Sequence, residues 1–346
     1  NVTMDGIPLN DPESQQVFWV DIPDLASSVD NIQVQRGAGT STNGAGAFGA
    51  TVNMQTSNPG NEPFARISTS LGSFNTSRKM IAAGSGLLAE KFAFQIRLSD
   101  IKSDGYIDRT GSDHQSAFIN GAFRTARSFV KANIFLGQEH TEISWWGVPR
   151  EMLSVNRKYN PAGEYTDENN DVQYYDNESD NYNQNHYQLF YDLKFNNSLS
   201  LSTAFHYTSG KGYYEEFKED RDLSDYGLPD LNIGGTVISQ SDLIRRKWMQ
   251  NGFYGLVYSL KYKNEKLETT FGGGANYYSG DHYGRIIWMK YSGDLRKDHQ
   301  WYFNNGKKAE VSIFAKADYL FTERLSLFAD LQYRFIDYRM KGKDDD

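Results

Sequence analysis

From Phe64 onward the chain is built of segments in which apolar and polar residues alternate one by one, and the turns between them keep a strict parity. Tyr187, Leu189, Tyr191, Leu193 and Phe195 share one face of such a segment, with Gln188, Asp192 and Lys194 on the other. Beyond Asn196-Asn197-Ser198 the pattern resumes with Leu199, Leu201, Phe205 and Tyr207 against Ser200, Ser202 and His206. It recurs in Phe92, Phe94, Ile96 and Leu98 against Gln95, Arg97 and Ser99, again in Leu256 to Tyr262, and again in Leu327 to Phe335. A period of two sends successive side chains to opposite faces, so each segment reads as a strand with one greasy and one wet side. The pattern predicts about eleven strands, near 64–74, 76–87, 91–103, 113–126, 128–140, 184–196, 198–212, 247–263, 266–280, 309–321 and 324–338.

Alternation alone does not separate a soluble sandwich from a barrel. The connections do. Every second one is tiny: Leu88-Ala89-Glu90, Ala126-Arg127-Ser128, Asn196-Asn197-Ser198, Asn264-Glu265 and Thr322-Glu323. The others are longer, near 104–112, 141–183, 213–246 and 281–308. Such parity gathers the long loops on one rim, as in outer-membrane barrels with short turns on the inner side. Segments of about twelve to fifteen residues also exceed the roughly 9–11 that cross a tilted barrel wall. Tyr207, Trp248, Tyr277, Tyr278 and Tyr338, near segment ends, fit an aromatic girdle at the membrane interface. Aromatics at 14% within a hydrophobic total of only 38% suit apolar surface spread thinly over many strands. No apolar run approaches roughly eighteen residues, so no transmembrane helix is predicted. Lipid then leaves a closed barrel as the spanning structure. The net charge of −8 argues against a nucleic-acid partner, and the absence of cysteine excludes disulfide and thiol chemistry.

Residues 1–61 read differently. Val2, Met4 and Ile7 predict a short strand, and Pro8 to Trp19 a polar loop ending in aromatics. Ile22 to Val29 predicts a short helix, with Pro23 near its start and Asp24 near its N-terminal end. Further strands begin at Ile32 and run from Thr51 to Gln55. Between them Gly44, Gly46 and Gly49 match G-x-G-x-x-G. The dinucleotide fingerprint needs a helix opening inside that turn. Here the run exits into strand-like AFGATVNMQT, stopped by Asn58-Pro59-Gly60, and the match is read as a decoy. Small residues here suit close backbone approach in a confined space.

Three ordered motifs in this unit carry a resemblance: Asp5-Gly6-Ile7-Pro8-Leu9, Ile32-Gln33-Val34-Gln35-Arg36-Gly37, and Phe48-Gly49-Ala50-Thr51-Val52-Asn53-Met54. Together they resemble the second half of the plug of TonB-dependent outer-membrane receptors. That resemblance implies an all-β fold with a small α+β plug, residues 1–61, ahead of an antiparallel transmembrane β-barrel, residues 62–346. About eleven of an expected twenty-two strands are then present, and both ends of the chain read as cut. It further implies a location in the outer membrane of a Gram-negative bacterium and a mechanism without cofactor or covalent chemistry. A scarce solute binds at plug apex and outer loops, and a TonB-type inner-membrane protein supplies the energy. An iron chelate is the favoured cargo, with cobalamin, haem, oligosaccharide or peptide as alternatives. A passive porin or structural barrel, and a soluble binding module, stay open as other classes.

For ligand binding, the candidates are Gln15, Gln16, Phe18 and Trp19 in the loop at the position of a plug apex, and Trp145, Trp146 and Arg150 in an outer loop. Amide donors beside aromatic faces suit a polar ligand carrying ring groups. For the plug's own architecture the candidates are Arg36, Gly37, Gly44, Gly46, Gly49 and Asn53. The resemblance implies that Arg36 locks the plug to the wall through Glu residues; an exposed Arg at a strand end is the plain alternative. Acidic patches at Asp167–Asp171, Asp176–Asp180 and Asp344–Asp346 lack the Gly and distal Glu of an EF-hand loop and read as solvated loop. His186 and His206 read as lumen lining rather than metal ligands. No catalytic residue and no metal site is nominated.

Overall fold

The computed structural model describes residues 1–37, 39, 41, 49–293 and 298–344. Gly44 and Gly46 lie outside the described residues.

Within residues 1–56 a small mixed sheet has the order β2-β1-β4-β3. Strands β1 (Val2–Met4) and β2 (Ile7–Pro8) form a hairpin whose turn, Asp5-Gly6, takes positive φ at both residues. β3 (Val29–Arg36) pairs antiparallel with β4 (Ala50–Thr56), while β1 lies parallel to β4 on its other side. Asn53 sits between Thr3 and Gln33 in this register, and its Oδ1 accepts a hydrogen bond from Thr3 Oγ1 at 2.8 Å. Gly37 ends β3 at φ +82°, a conformation that favours glycine, and its N–H donates to Gly49 O at 2.8 Å.

The helix expected at Ile22 to Val29 is instead two short 3-10 turns, Trp19–Asp21 and Leu25–Ser28. Asp24 precedes the second in the left-handed region, φ 54°, and caps nothing. Its carboxylate is engaged elsewhere, so the N-cap bond that would nucleate a longer helix is not made.

The large sheet contains the eleven strands that the alternation predicted, in an uninterrupted antiparallel ladder from β5 (Pro63–Leu71) to β19 (Leu325–Lys343). Between them run β6 (Ser77–Ser85), β7 (Phe92–Ser103), β8 (Ser112–Arg124), β9 (Ser128–Glu142), β12 (Ser179–Lys194), β13 (Leu199–Asp222), β16 (Gln240–Lys263), β17 (Leu267–Met289) and β18 (His299–Thr322). Two small hairpins, β10 (Glu164–Thr166) with β11 (Val172–Tyr174) and β14 (Leu231–Ile233) with β15 (Thr236–Ile238), sit in the outer connections. The short-turn parity holds from β7 onward; before it, the 72–76 connection is no longer than the 86–91 one.

The outer connections are shorter than the sequence suggested. Much of 213–246 and 281–308 is strand, and β13, β16 and β18 each reach 24 residues. In these extensions polar residues occupy both faces, so the greasy–wet alternation fades. The backbone ladder continues because each N–H and C=O still finds a neighbour.

The sheet's outward face is apolar and exposed, as at Phe94 (53%), Leu189 (47%) and Phe205 (53%). The opposite face buries Arg97, Asn120, Lys131, Asn133, Gln188, His186 and His206. Tyr187, Tyr207, Tyr254 and Tyr277 align in one outward row across four strands, and Tyr187 stacks on Tyr207 with centroids 6.1 Å apart. That row has the placement expected of a girdle, and it contains Tyr207 and Tyr277. Tyr278 and Tyr338 do not belong to it: one residue along a strand reverses the face, and both turn inward to Glu13 in the loop after β2. Trp248 faces outward but lies beyond the row, stacked on Tyr283.

The two sheets share a core. Met4, Ile22, Leu25 and Met54 close against Phe118 and Phe135 of the wall. At Gly137 a Cβ would stand 2.6 Å from Asp21 O and 3.0 Å from Pro23 Cδ, so glycine there lets the small unit's backbone touch the wall.

Candidate functional site

Three carboxylates of the small unit reach into cations or donors of the wall. Asp5 Oδ2 accepts from buried Lys131 Nζ at 3.0 Å, and Thr56 Oγ1 is shared between Asp5, Lys131 and Asn133. Asp24 accepts from Arg78 Nη2 at 2.9 Å and Nε at 3.2 Å, from Arg97 Nη1 at 3.2 Å, and from Ser99 Oγ at 2.6 Å. Arg97 is 3% exposed and also donates to Ser28 Oγ at 2.7 Å. Burial alone would raise the Asp24 carboxyl, but the bonds from Arg78 and Ser99 and the charge of Arg97 hold it below the usual range.

Glu13, in the apex loop, makes the third latch. Its Oε2 lies 2.8 Å from Tyr278 Oη and 2.9 Å from His282 Nε2, and Oε1 accepts from Tyr338 Oη at 3.1 Å. Lys308 Nζ donates to Pro12 O at 2.7 Å beside it. Burial opposes ionisation of Glu13, yet His282 and the two phenols prevail and lower its pKa. A further tie joins Ser41 to Asp330 of β19 through both N–H and hydroxyl. The Asp5, Asp24 and Glu13 latches run from plug carboxylate to wall donor, the reverse of the polarity expected for Arg36, whereas the Ser41 tie to Asp330 has its carboxylate on the wall. Arg36 stands exposed at the end of β3, and among the described residues it makes no ion pair.

Glu13→Ala is expected to loosen the apex by about 1–3 kcal/mol, the cost of leaving a buried phenol without its acceptor, since Tyr278 is only 1% exposed. Faster amide exchange across residues 11–17 checks this. Glu13→Gln, which keeps an acceptor, should exchange more slowly than the alanine variant.

The apex loop itself is organised from within. Asp11 Oδ1 accepts from Glu13 N–H, Ser14 N–H and Ser14 Oγ, and Gln15 takes the left-handed conformation, φ 61°. Gln15 Nε2 turns back onto Pro12 O at 2.8 Å. Gln16 is exposed, and Phe18 (45%) and Trp19 (51%) stand clear of the core rather than filling it. This loop points toward the long-connection rim, because its wall neighbours Tyr182, Met249, Asn251 and Tyr278 all lie on that side of the tyrosine row.

Trp145 (56%) and Trp146 (54%) are also exposed, in the 143–178 connection. Trp145 meets Tyr214 edge-on at 5.1 Å, and Lys218 Nζ stands 5.6 Å from the Trp146 ring. Trp146 lines a cavity of about 480 Å³ with Glu164, Glu178, Phe217 and Lys218, whereas the apex residues Gln16 and Phe18 line a different, narrower recess. Arg150 lies exposed on a short 3-10 turn. The sequence candidates therefore form two groups.

His186 and His206 sit diagonally on the lumen face, bonded to Thr208 Oγ1 (3.0 Å) and Asn276 Oδ1 (2.9 Å). Among the described residues no cluster of His, Asp or Glu is placed to hold a metal. Sequence reasoning missed Glu13, Asp5 and Asp24. The signal available was Arg97 and Lys131 on strand faces whose parity turns them inward, where a cation demands a carboxylate.

No family model matches the chain, and no curated protein matches it in sequence. Solved structures do match in fold. The ferripyoverdine receptor of the outer membrane of Pseudomonas aeruginosa, bound to ferripyoverdine, superimposes with a TM-score of 0.67 at 16% identity over 99% of this chain and 46% of that one. The ferric-catecholate import receptor Fiu of E. coli K12, in its open form, gives 0.63 at 13% identity over 99% and 53%. BauA, the ferric preacinetobactin receptor of Acinetobacter baumannii, gives 0.64 at 12% identity over 98% and 50%. The chain spans about half the length of the solved receptors it matches. A small mixed sheet latched by its carboxylates inside eleven consecutive antiparallel strands thus has the fold of a TonB-dependent outer-membrane receptor, from the later part of the plug through the first half of the barrel.

Proposed function

We propose that the chain is the plug-and-half-barrel part of an outer-membrane importer that binds a ferric siderophore or related iron chelate, with a boundary near residues 61–62. Gln15, Gln16, Phe18 and Trp19 at the apex make the first contact, and Trp145, Trp146 and Arg150 close on the ligand from the outer connection. A TonB-type inner-membrane protein supplies the work that moves the plug. In this reading Arg36 locks the plug to wall strands beyond the described residues. The reading rests on ferric-chelate receptors sharing this fold, and above all on one observation. Phe18 and Trp19 are exposed on a loop aimed at the outer rim, where large aromatic side chains have no packing reason to be uncovered.

Phe18→Ala and Trp19→Ala are each expected to weaken binding of a ferric chelate by about 0.5–2 kcal/mol. Fluorescence titration of the full-length protein against hydroxamate, catecholate and mixed chelates measures this. Uptake that persists at the same rate after deletion of the inner-membrane energy-transducing protein would instead identify a passive pore.

A further inference from the structure

The narrow recess between the apex loop and the wall holds more negative charge than its neighbours offset. It encloses about 50 Å³ and is lined by Asp11 and Asp21 of the plug and by Tyr182, Gln184, His186 and Asn251 of the wall. Two more carboxyls stand beside it. Glu139 is paired in register with Tyr182, and Asp180 lies two residues outward of Tyr182 on β12. Asp11 and Asp180 act on Asp21 by charge, and Asp180 and Asp21 act on Glu139. No cation of the described residues offsets Asp21, Glu139 or Asp180. The cations nearest Asp11 are committed elsewhere: Lys308 Nζ donates to Pro12 O, and His282 bonds Glu13.

Donors are short as well as charge. His186 is 5% exposed, and with Nδ1 on Thr208 Oγ1 its Nε2 has no partner among the described residues. In the tautomer that donates from Nδ1, that Nε2 is an acceptor. Neither oxygen of Glu139, 1% exposed, has a partner either. Buried polar atoms are nearly always bonded, so these acceptors call for a donor from outside the chain. Gln16 and Phe18, both exposed, line the same recess, which therefore opens on the ligand side of the apex.

Among the described residues no three His, Asp or Glu stand close enough to hold a metal. A cation that arrives with its own N–H donors fits instead, and a primary ammonium carries three. One water needs about 10–15 Å³ of such space, so the recess has room for an ammonium and a short piece of its alkyl chain. We propose that it is a cation subsite of the chelate site, taking the primary ammonium of an amine-bearing cargo with Asp21 as principal counter-ion. The inference rests on the chelate-receptor reading above and narrows it: the cargo is a ferric chelate with a short alkylamine arm. Phe18 and Trp19 hold the body of the chelate while the arm enters beside Gln16.

The test uses the full-length protein in detergent at pH 8, with butylammonium, tetramethylammonium and potassium chlorides at equal ionic strength. Calorimetry and amide exchange of residues 19–25 are the readouts. Butylammonium is expected to bind and to slow exchange there, while the other two cations leave it unchanged. Asp21→Asn, nearly isosteric, should weaken butylammonium by roughly tenfold or more, the usual loss when a charged hydrogen-bond partner is removed. Ferrioxamine B, whose chain ends in a primary amine, should in turn bind more tightly than its N-acetyl derivative, which has the same iron-binding core. An equal effect of tetramethylammonium or potassium overturns the ammonium subsite, as does unchanged butylammonium affinity in Asp21→Asn. Equal binding of the two ferrioxamines overturns the arm's entry into the recess. Butylammonium binding without binding of any ferric chelate upholds the recess and counts against the chelate reading alone.

Discussion

Asp24→Ala is expected to weaken the seating of the plug against β6 and β7 by about 3–5 kcal/mol, the usual cost of removing one partner from a buried ion pair. The Asp24 side chain is 8% exposed and that of Arg97 only 4%, so neither charge has water to fall back on. Removing the carboxylate leaves Arg97 with Ser28 and Ser116 as its bonded neighbours, and leaves two guanidinium groups, Arg78 and Arg97, facing each other. Amide exchange across residues 19–28 should accelerate by two orders of magnitude or more (about 1.4 kcal/mol per factor of ten), with little change in the wall strands β16 to β18. The double variant Asp24→Ala/Arg97→Met tests the cause. If the penalty comes from an abandoned cation, the double variant should exchange more slowly than Asp24→Ala alone. Equal exchange in the two would show that the latch carries no ionic energy.

The second large effect is a pH dependence that runs against the usual direction for a carboxylate. Asp21 is enclosed between plug and wall, where burial first, then the charges of Asp180 and Asp11, push its pKa up to about 7. Glu139 on β9 adds a further carboxyl to this group, 1% exposed, and the Tyr182 hydroxyl faces it from β12. A carboxyl whose pKa is higher in the docked state than free in water binds a proton on docking. Seating of the plug is therefore expected to strengthen as pH falls through 7 toward the usual carboxylate range, and it approaches a limiting slope of about 1.36 kcal/mol, or tenfold, per pH unit only below about pH 6. Asp24 and Glu13 have the opposite sign. Their pKa values are lowered by docking, so their contribution is complete above the usual carboxylate range and is lost only in stronger acid. The two windows are separate. Exchange protection of residues 19–25, corrected for intrinsic rates, should be higher at pH 6 than at pH 8, and Asp21→Asn should narrow the difference while tightening the plug at pH 8. Equal protection of the native protein at both pH values would remove Asp21 from the account.

Both effects concern the contact between plug and wall, which was hardest to see in the sequence. Arg36 drew notice because it is a charge on an otherwise alternating strand, yet the described residues show it exposed. The working latches use Asp5, Glu13 and Asp24, residues that in sequence look like ordinary turn-formers. Asp24 does sit at a turn, and Asp5 does make one. Nothing local distinguishes an aspartate that caps a helix from one that binds an arginine 73 positions away.

The strands were legible because their information is local. Alternation with a period of two, and turns of a few residues, are properties of adjacent positions, and they yielded the eleven strands and the rim that holds the long connections. Where alternation stopped, at the outward ends of β13, β16, β17 and β18, the sequence reading stopped too, although the ladder continued. Local sequence thus determined the wall, its greasy and wet faces and its polarity. Tertiary structure alone decided which carboxylate meets which cation, and which of two adjacent tyrosines, Tyr277 or Tyr278, faces lipid or plug. Those outcomes depend on register and on approach between segments far apart in the chain, and a shift of one residue reverses them.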